Sequence, residues 1–177
     1  MVTTSLLASC AEQPVSTKVP VSKSPRSDSS LSSQVFEGVN AYRRSQGAKA
    51  LERHAGLDRL AQQHSEYLRQ HRGSFTFGGK NVSHIGFEGR ALVARELYHI
   101  QNLGENISAI PHGGPRCAQV LVRGWADTKD HRKNLLDKWT HTGVAVVIDA
   151  DGMVFATELF ASMNYSQWAE RERFSRF

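Results

Sequence analysis

Gly143-Val144-Ala145-Val146-Val147-Ile148-Asp149-Ala150-Asp151-Gly152-Met153-Val154-Phe155-Ala156-Thr157-Glu158-Leu159-Phe160 holds two apolar runs on either side of a turn-forming segment. Asp-Gly between β-branched and aromatic residues is a strong hairpin signal, because glycine takes the positive φ that a tight connection needs. The spacing predicts antiparallel strands over roughly Gly143 to Asp149 and Met153 to Phe160. Their near-continuous apolar content suits the middle of a sheet.

Upstream, the hydrophobic period changes from strand to helix. Ser32 or Ser33 is a plausible N-cap for a helix carrying Val35, Phe36, Val39, Ala41 and Tyr42, which Gly47 can end. A second helix from about Leu57 to His71 places Leu57, Leu60, Ala61, His64, Ser65 and Leu68 on one face. His64 on that apolar face reads as a satisfied core histidine. Gly73 to Gly89 reads as a loop carrying His84, followed by a helix over Arg90 to Tyr98 and a short strand through Glu105 to Ser108. After a turn from Pro111 to Pro115, the pattern predicts a helix from Arg116 to Ala126 and a short helix and turn over Asp130 to Asn134. Cys117, Val120, Leu121 and Trp125 repeat at helical spacing, which makes Cys117 a buried structural thiol rather than a nucleophile.

The 177 residues fit one domain, with 40% hydrophobic and 22% charged residues, a balance that excludes a wholly disordered chain. No stretch approaches the roughly 20 apolar residues that span a bilayer as a helix. The formal charge of +5 is spread among interleaved acids, so it describes a solvated surface. Without a basic stripe or recognition motif, no nucleic-acid partner is expected.

Residues 1–33 are too polar and Ser-rich to join the core, 34–161 form the predicted domain, and 162–177 form a tail. Leu7-Ala8-Ser9-Cys10 resembles the lipobox of bacterial lipoproteins, in which the cysteine is acylated after signal cleavage. Met1 to Ser9 lacks a basic n-region and a long apolar stretch, so on this reading the signal peptide starts upstream of Met1. Pro14, Pro20, Pro25 and many serines then form a flexible spacer between a lipid anchor at Cys10 and the domain. In the tail, Tyr165, Trp168, Phe174 and Phe177 are expected to pack back on the domain, with a partner surface as the alternative.

His84, the run Gly104-Glu105-Asn106-Ile107, and Trp125 followed by His131-Arg132-Lys133-Asn134 lie in separate segments beside turns or caps. A converging polar cleft explains them better than three unrelated surface positions. Two neutral imidazoles and a carboxylate, His84, His131 and Glu105, can give Zn2+ three ligands and leave water the fourth position. In the competing account Glu105 orients a histidine by hydrogen bonding, while Asn106 and Asn134 satisfy loop backbones.

In order along the chain, Asn40, Arg43, Gly47, Leu51, Leu57, Leu60, Ala61, His64-Ser65, His84, Gly104 to Ile107, Trp125, His131 to Asn134, Gly143-Val144 and Thr157 to Phe160 resemble the CAP superfamily. That superfamily groups cysteine-rich secretory proteins, antigen 5 and pathogenesis-related 1 proteins, and this chain is similar to its cysteine-poor bacterial branch over about residues 34–161. The resemblance implies an α+β fold, a three-layer α-β-α sandwich with a central antiparallel sheet, and a cleft lined by His84, Glu105 and His131. It also implies a divalent metal in some relatives, Zn2+ being preferred among imidazole-friendly ions.

Where many relatives carry a second cleft glutamate, this chain offers the shorter Asp127 and Asp130. Thr157-Glu158 stands where the family favours Thr-Gln. The expectation is an exported bacterial CAP-domain protein of the cell envelope, or a secreted one, whose cleft binds a divalent metal or small ligand without catalysis. A metal-dependent peptidase or esterase, and a lipid-binding or interaction module, are the alternatives.

Overall fold

The computed structural model describes residues 26–72, 84–111 and 114–163. Cys10, the Ser/Pro-rich spacer and the aromatic tail lie outside the described residues.

The elements run β1 (Arg26–Ser27), α1 (Ser29–Ser45), β2 (Glu52–Arg53), α2 (Ala55–Gln70), α3 (Phe87–Tyr98), β3 (Asn102–Ile110), α4 (Cys117–Asp127), α5 (Lys129–Leu136), β4 (His141–Ile148) and β5 (Val154–Ser162). The sheet has the order β1-β4-β5-β3, antiparallel throughout, and β2 adds a short parallel pair to β4. At the predicted hairpin Ile148 faces Val154, Gly152 takes φ 89°, and its N–H donates to the Asp149 carbonyl at 2.9 Å.

Side chains alternate across the central strands, so each face needs its own cover. Val144, Val146, Ala156 and Phe160 pack with Val35 and Val39 of α1 and Leu121 and Trp125 of α4. Ala145, Leu159 and Ala161 face Leu57, Leu60 and Ala61 of α2 and Ala94 of α3. Helices on both faces make the three-layer α-β-α sandwich that the resemblance implies. The buried face of α2 coincides with its predicted apolar stripe, Leu57, Leu60, Ala61, His64, Ser65 and Leu68. Cys117 is buried in the α1/α4 layer, where burial pushes its thiol pKa up. An unreactive, protonated thiol follows from that setting.

The first helix starts earlier than the serines suggest. Asp28 is its N-cap, accepting from the Leu31 N–H at 2.9 Å. Ser32 lies inside the helix, where its hydroxyl donates to the Asp28 carbonyl at 2.8 Å and accepts from Val146 N–H at 3.0 Å. The folded part therefore begins before residue 34, because Asp28 and Ser32 tie the helix start to β4. Strand β3 likewise runs nine residues, since Asn102 to Gly104 and Ala109 to Ile110 also pair with β5.

His54 caps α2, its Nδ1 accepting from Leu57 N–H at 3.2 Å, and its ring meets Tyr98 and His141 edge-on. Burial lowers its pKa below 6.5, helped by His141 and Arg59 and opposed by Asp58. A histidine held neutral by folding contributes stability above its unfolded pKa and loses it as pH falls through the lower folded value. His54→Asn keeps a capping acceptor that does not titrate. Its melting temperature should therefore drop less than the parent's between neutral and mildly acidic pH, and equal drops would remove His54 as the cause.

Candidate functional site

The site grows from the edge strand β3. Glu105 pairs in register with Leu159 and so faces the α2/α3 layer; Asn106 pairs with Glu158 and faces the α4/α5 layer. Gly104 opens the run because a Cβ there would come within 2.9 Å of the Trp139 ring.

On the first face the Glu105 side chain is 1% exposed, and two side chains hold it. Arg90 donates from Nε to Oε2 at 2.7 Å and from Nη2 to Oε1 at 2.8 Å, a two-pronged ion pair. His84 meets Oε1 through Nδ1 at 2.8 Å. A carboxylate so paired only accepts, so Nδ1 carries a proton toward Glu105 and Nε2 is the ring edge turned away from it. The His84 side chain is 42% exposed, in the turn that Gly86 closes at φ 78° before α3. Arg90 Nη1 also donates to the Ile85 carbonyl in that turn at 3.0 Å. Its other contact from Nη1, at 3.0 Å, is His64 Nδ1. Arginine has no acceptor, so His64 Nδ1 accepts. His64, stacked on Tyr67 in the core, is thus the satisfied core histidine expected from its helix face.

On the second face, Asn106 Nδ2 donates to the His131 carbonyl at 3.0 Å, and Asn134 Nδ2 donates to the Glu105 carbonyl and to Asn106 Oδ1, each at 3.0 Å. Trp139 Nε1 donates to the Asn134 carbonyl at 2.9 Å and Trp125 Nε1 to that of Ile107 at 3.1 Å. These bonds fasten α4, α5 and the chain after α5 to β3. His131, half-buried in the first turn of α5, has its pKa lowered by burial and by the nearby charge of His84, against an opposing pull from Asp130. The net effect favours its neutral form.

His84 and Glu105 are therefore in direct contact, and His131 is close enough to sense His84. Asp130 stands beside His131 and is exposed. Asp127 points elsewhere: it is exposed, lies 3.5 Å from Arg123, and borders a groove of about 980 Å³ between α1 and α4 with Gly38, Ala41, Ala118 and Val122. Among the described residues no three His, Cys, Asp or Glu side chains are placed to hold a metal ion. As arranged, Glu105 does not fit a ligand's role, since Arg90 and His84 engage both its oxygens. Its geometry is instead that of the outer carboxylate that fixes a histidine's tautomer.

Arg90 is the site residue that sequence reasoning missed. Its one signal was a cation near the start of a helix beside the His84 loop.

The profile described as CAP: Cysteine-rich secretory protein family matches residues 36–165. A search of curated proteins gives no match. Among solved structures, the chain is similar to an outer surface protein of Borrelia burgdorferi, with 15% identity and a TM-score of 0.59 over 78% of this chain and 98% of that one. An extracellular SCP-domain protein of Bacillus anthracis gives 23% identity and a TM-score of 0.55 over 75% of this chain and 40% of its own. A cysteine-rich secretory protein of Staphylococcus aureus gives 19% and 0.54, over 75% of this chain and 39% of its own. The chain thus spans about two-fifths of the latter two proteins. With the three-layer fold and a profile match over most of its length, the chain belongs to the CAP, cysteine-rich secretory protein, family.

Proposed function

We propose that this CAP-domain protein is exported and binds a small ligand or a divalent ion, without turnover, between the turn bearing His84 and the first turn of α5 bearing His131. The observation that carries the reading is the contact of His84 Nδ1 with Glu105 Oε1 at 2.8 Å, which fixes a part-exposed ring with its Nε2 edge turned away from the carboxylate. His131, whose burial favours the neutral form, supplies a second imidazole nitrogen. Two imidazoles suit Zn2+ among the divalent ions, with remaining positions left to water or ligand. The site has an orienting carboxylate, and the buried Cys117 lies in the α1/α4 layer, which favours binding over catalysis by a thiol nucleophile.

Metal analysis of protein purified without metal-affinity resin tests this. The parent chain is expected to retain Zn2+ that His84→Ala and His131→Ala lose. Equal, negligible metal in all three would remove the ion and leave the small ligand. Chelator-sensitive cleavage of a peptide or ester panel would replace the binding reading with a hydrolase.

Export draws support from the outer-surface and extracellular descriptions of the similar structures. The lipobox-like Leu7-Ala8-Ser9-Cys10 suggests attachment to a membrane through Cys10. Stable attachment takes more than one acyl chain, as bacterial lipoproteins have. In a bacterial host with the full precursor, Cys10→Ser should move the protein from the membrane fraction to the soluble one. Unchanged partition would rule out a Cys10 anchor.

A further inference from the structure

Building on the cleft just proposed, we infer that Arg90 stands where a bound cation would otherwise balance Glu105, so Glu105 is not a metal ligand and any divalent-ion affinity rests on the imidazoles.

All three guanidinium nitrogens are committed: Nε and Nη2 to Glu105, and Nη1 to His64 and the Ile85 carbonyl. With side-chain exposures of 10% and 1%, Arg90 and Glu105 form an ion pair shielded from water. A metal reaching the carboxylate would have to break the fork and leave a buried guanidinium beside a dication, an arrangement opposed by like charge and by lost desolvation compensation. The hydrogen bonds of Arg90 go to Glu105, His64 and Ile85 rather than to His84. It is a positioning residue: it holds the carboxylate that sets the His84 tautomer and the carbonyl of the turn that presents the ring. Removing it alone strands a buried carboxylate, which must then take a proton, pair with His84 or recruit a cation. Arg90 is therefore a specificity device that keeps a carboxylate-bearing cleft from behaving as a carboxylate metal site.

Calorimetric titration of metal-free full-length protein with Zn2+ at neutral pH tests the inference on the parent, Glu105→Gln, Arg90→Met, and the double variant. Glu105→Gln and the double variant keep an amide oxygen that can accept from His84 Nδ1 but lose the orienting carboxylate, so they should bind Zn2+ within the roughly 10- to 100-fold weakening that loss of an outer partner brings. Arg90→Met should bind at least about ten-fold tighter, and that gain should vanish in the double variant. Two results overturn the inference: a loss well beyond about 100-fold in the folded double variant, which would make Glu105 a ligand, or no gain in folded Arg90→Met. If either single variant fails to fold, the double variant, with both charges removed, still decides by that criterion. A gain in Arg90→Met with no Zn2+ heat in the parent would refute the imidazole site proposed above while supporting the role of Arg90.

Discussion

Glu158→Gln is expected to be more stable than the parent chain by about 3 kcal/mol near pH 7, on the order of 8 °C in melting temperature. Glu158 lies in β5, fully buried, with Oε1 accepting from the Thr142 hydroxyl at 3.0 Å and Oε2 without a hydrogen-bond partner. Burial pushes its pKa from 4.5 up to about 8, although Thr142 and the Arg43 charge pull the other way. In the unfolded chain the same carboxyl is ionised at neutral pH, so folding must take up a proton. The stability tied to that proton is fully present below about pH 4.5 and is lost as pH rises through about 8. Glutamine has nearly the same shape and no proton to take up. The advantage of Glu158→Gln should therefore be negligible near the lower limit and grow toward the upper one. A stability difference that stays flat across this range would show that the carboxyl does not change its charge on folding.

Thr157-Glu158, placed by sequence where relatives favour Thr-Gln, was readable as an acid near the sheet, but its depth was not. Alternation along β5 says which face Glu158 takes, whereas the lid over that face comes from α1, α4 and α5, and no spacing within β5 reports on them. The same division holds elsewhere. Periodicity revealed the α2 stripe and the Asp149 to Gly152 hairpin because local geometry dictates both. His84, Glu105 and the Asn106/Asn134 pair were legible through their order along the chain, and the structure gives that order its meaning as two faces of β3. Arg90 escaped because its partners lie 15 and 26 residues away on β3 and α2, and a long flexible cation has no spacing rule for such a reach. Asp28 escaped because a Ser-rich neighbourhood offered several capping candidates, and only its contact with β4 selects among them. Asp127 stands where the resemblance puts a second cleft acid, but the end of α4 turns it toward Arg123.

Arg43→Met should destabilise the fold by about 3 to 5 kcal/mol, because it removes a buried cation from the carbonyls that surround it. Arg43 is 2% exposed; its Nε donates to the Lys49 carbonyl at 2.7 Å, and its Nη1 to those of Leu135 and, at 3.1 Å, Asp137. The last two close the C-terminal end of α5, where orphan carbonyls and the negative end of the helix dipole favour a cation. Since α5 carries His131 in its opening turn, loosening its far end should also weaken any ligand held by that imidazole. Methionine matches much of the aliphatic stem but leaves the carbonyls without a donor. The Arg43 charge also steadies the ionised form of Glu158. Losing it should raise the Glu158 pKa further and make Arg43→Met more damaging as pH increases. Arg43→Met/Glu158→Gln should accordingly be more stable at alkaline pH than Arg43→Met alone, and by more than Glu158→Gln gains in the parent background. Denaturant melts of the four proteins measure that coupling. Strict additivity at every pH would mean that Arg43 acts through the α5 carbonyls alone.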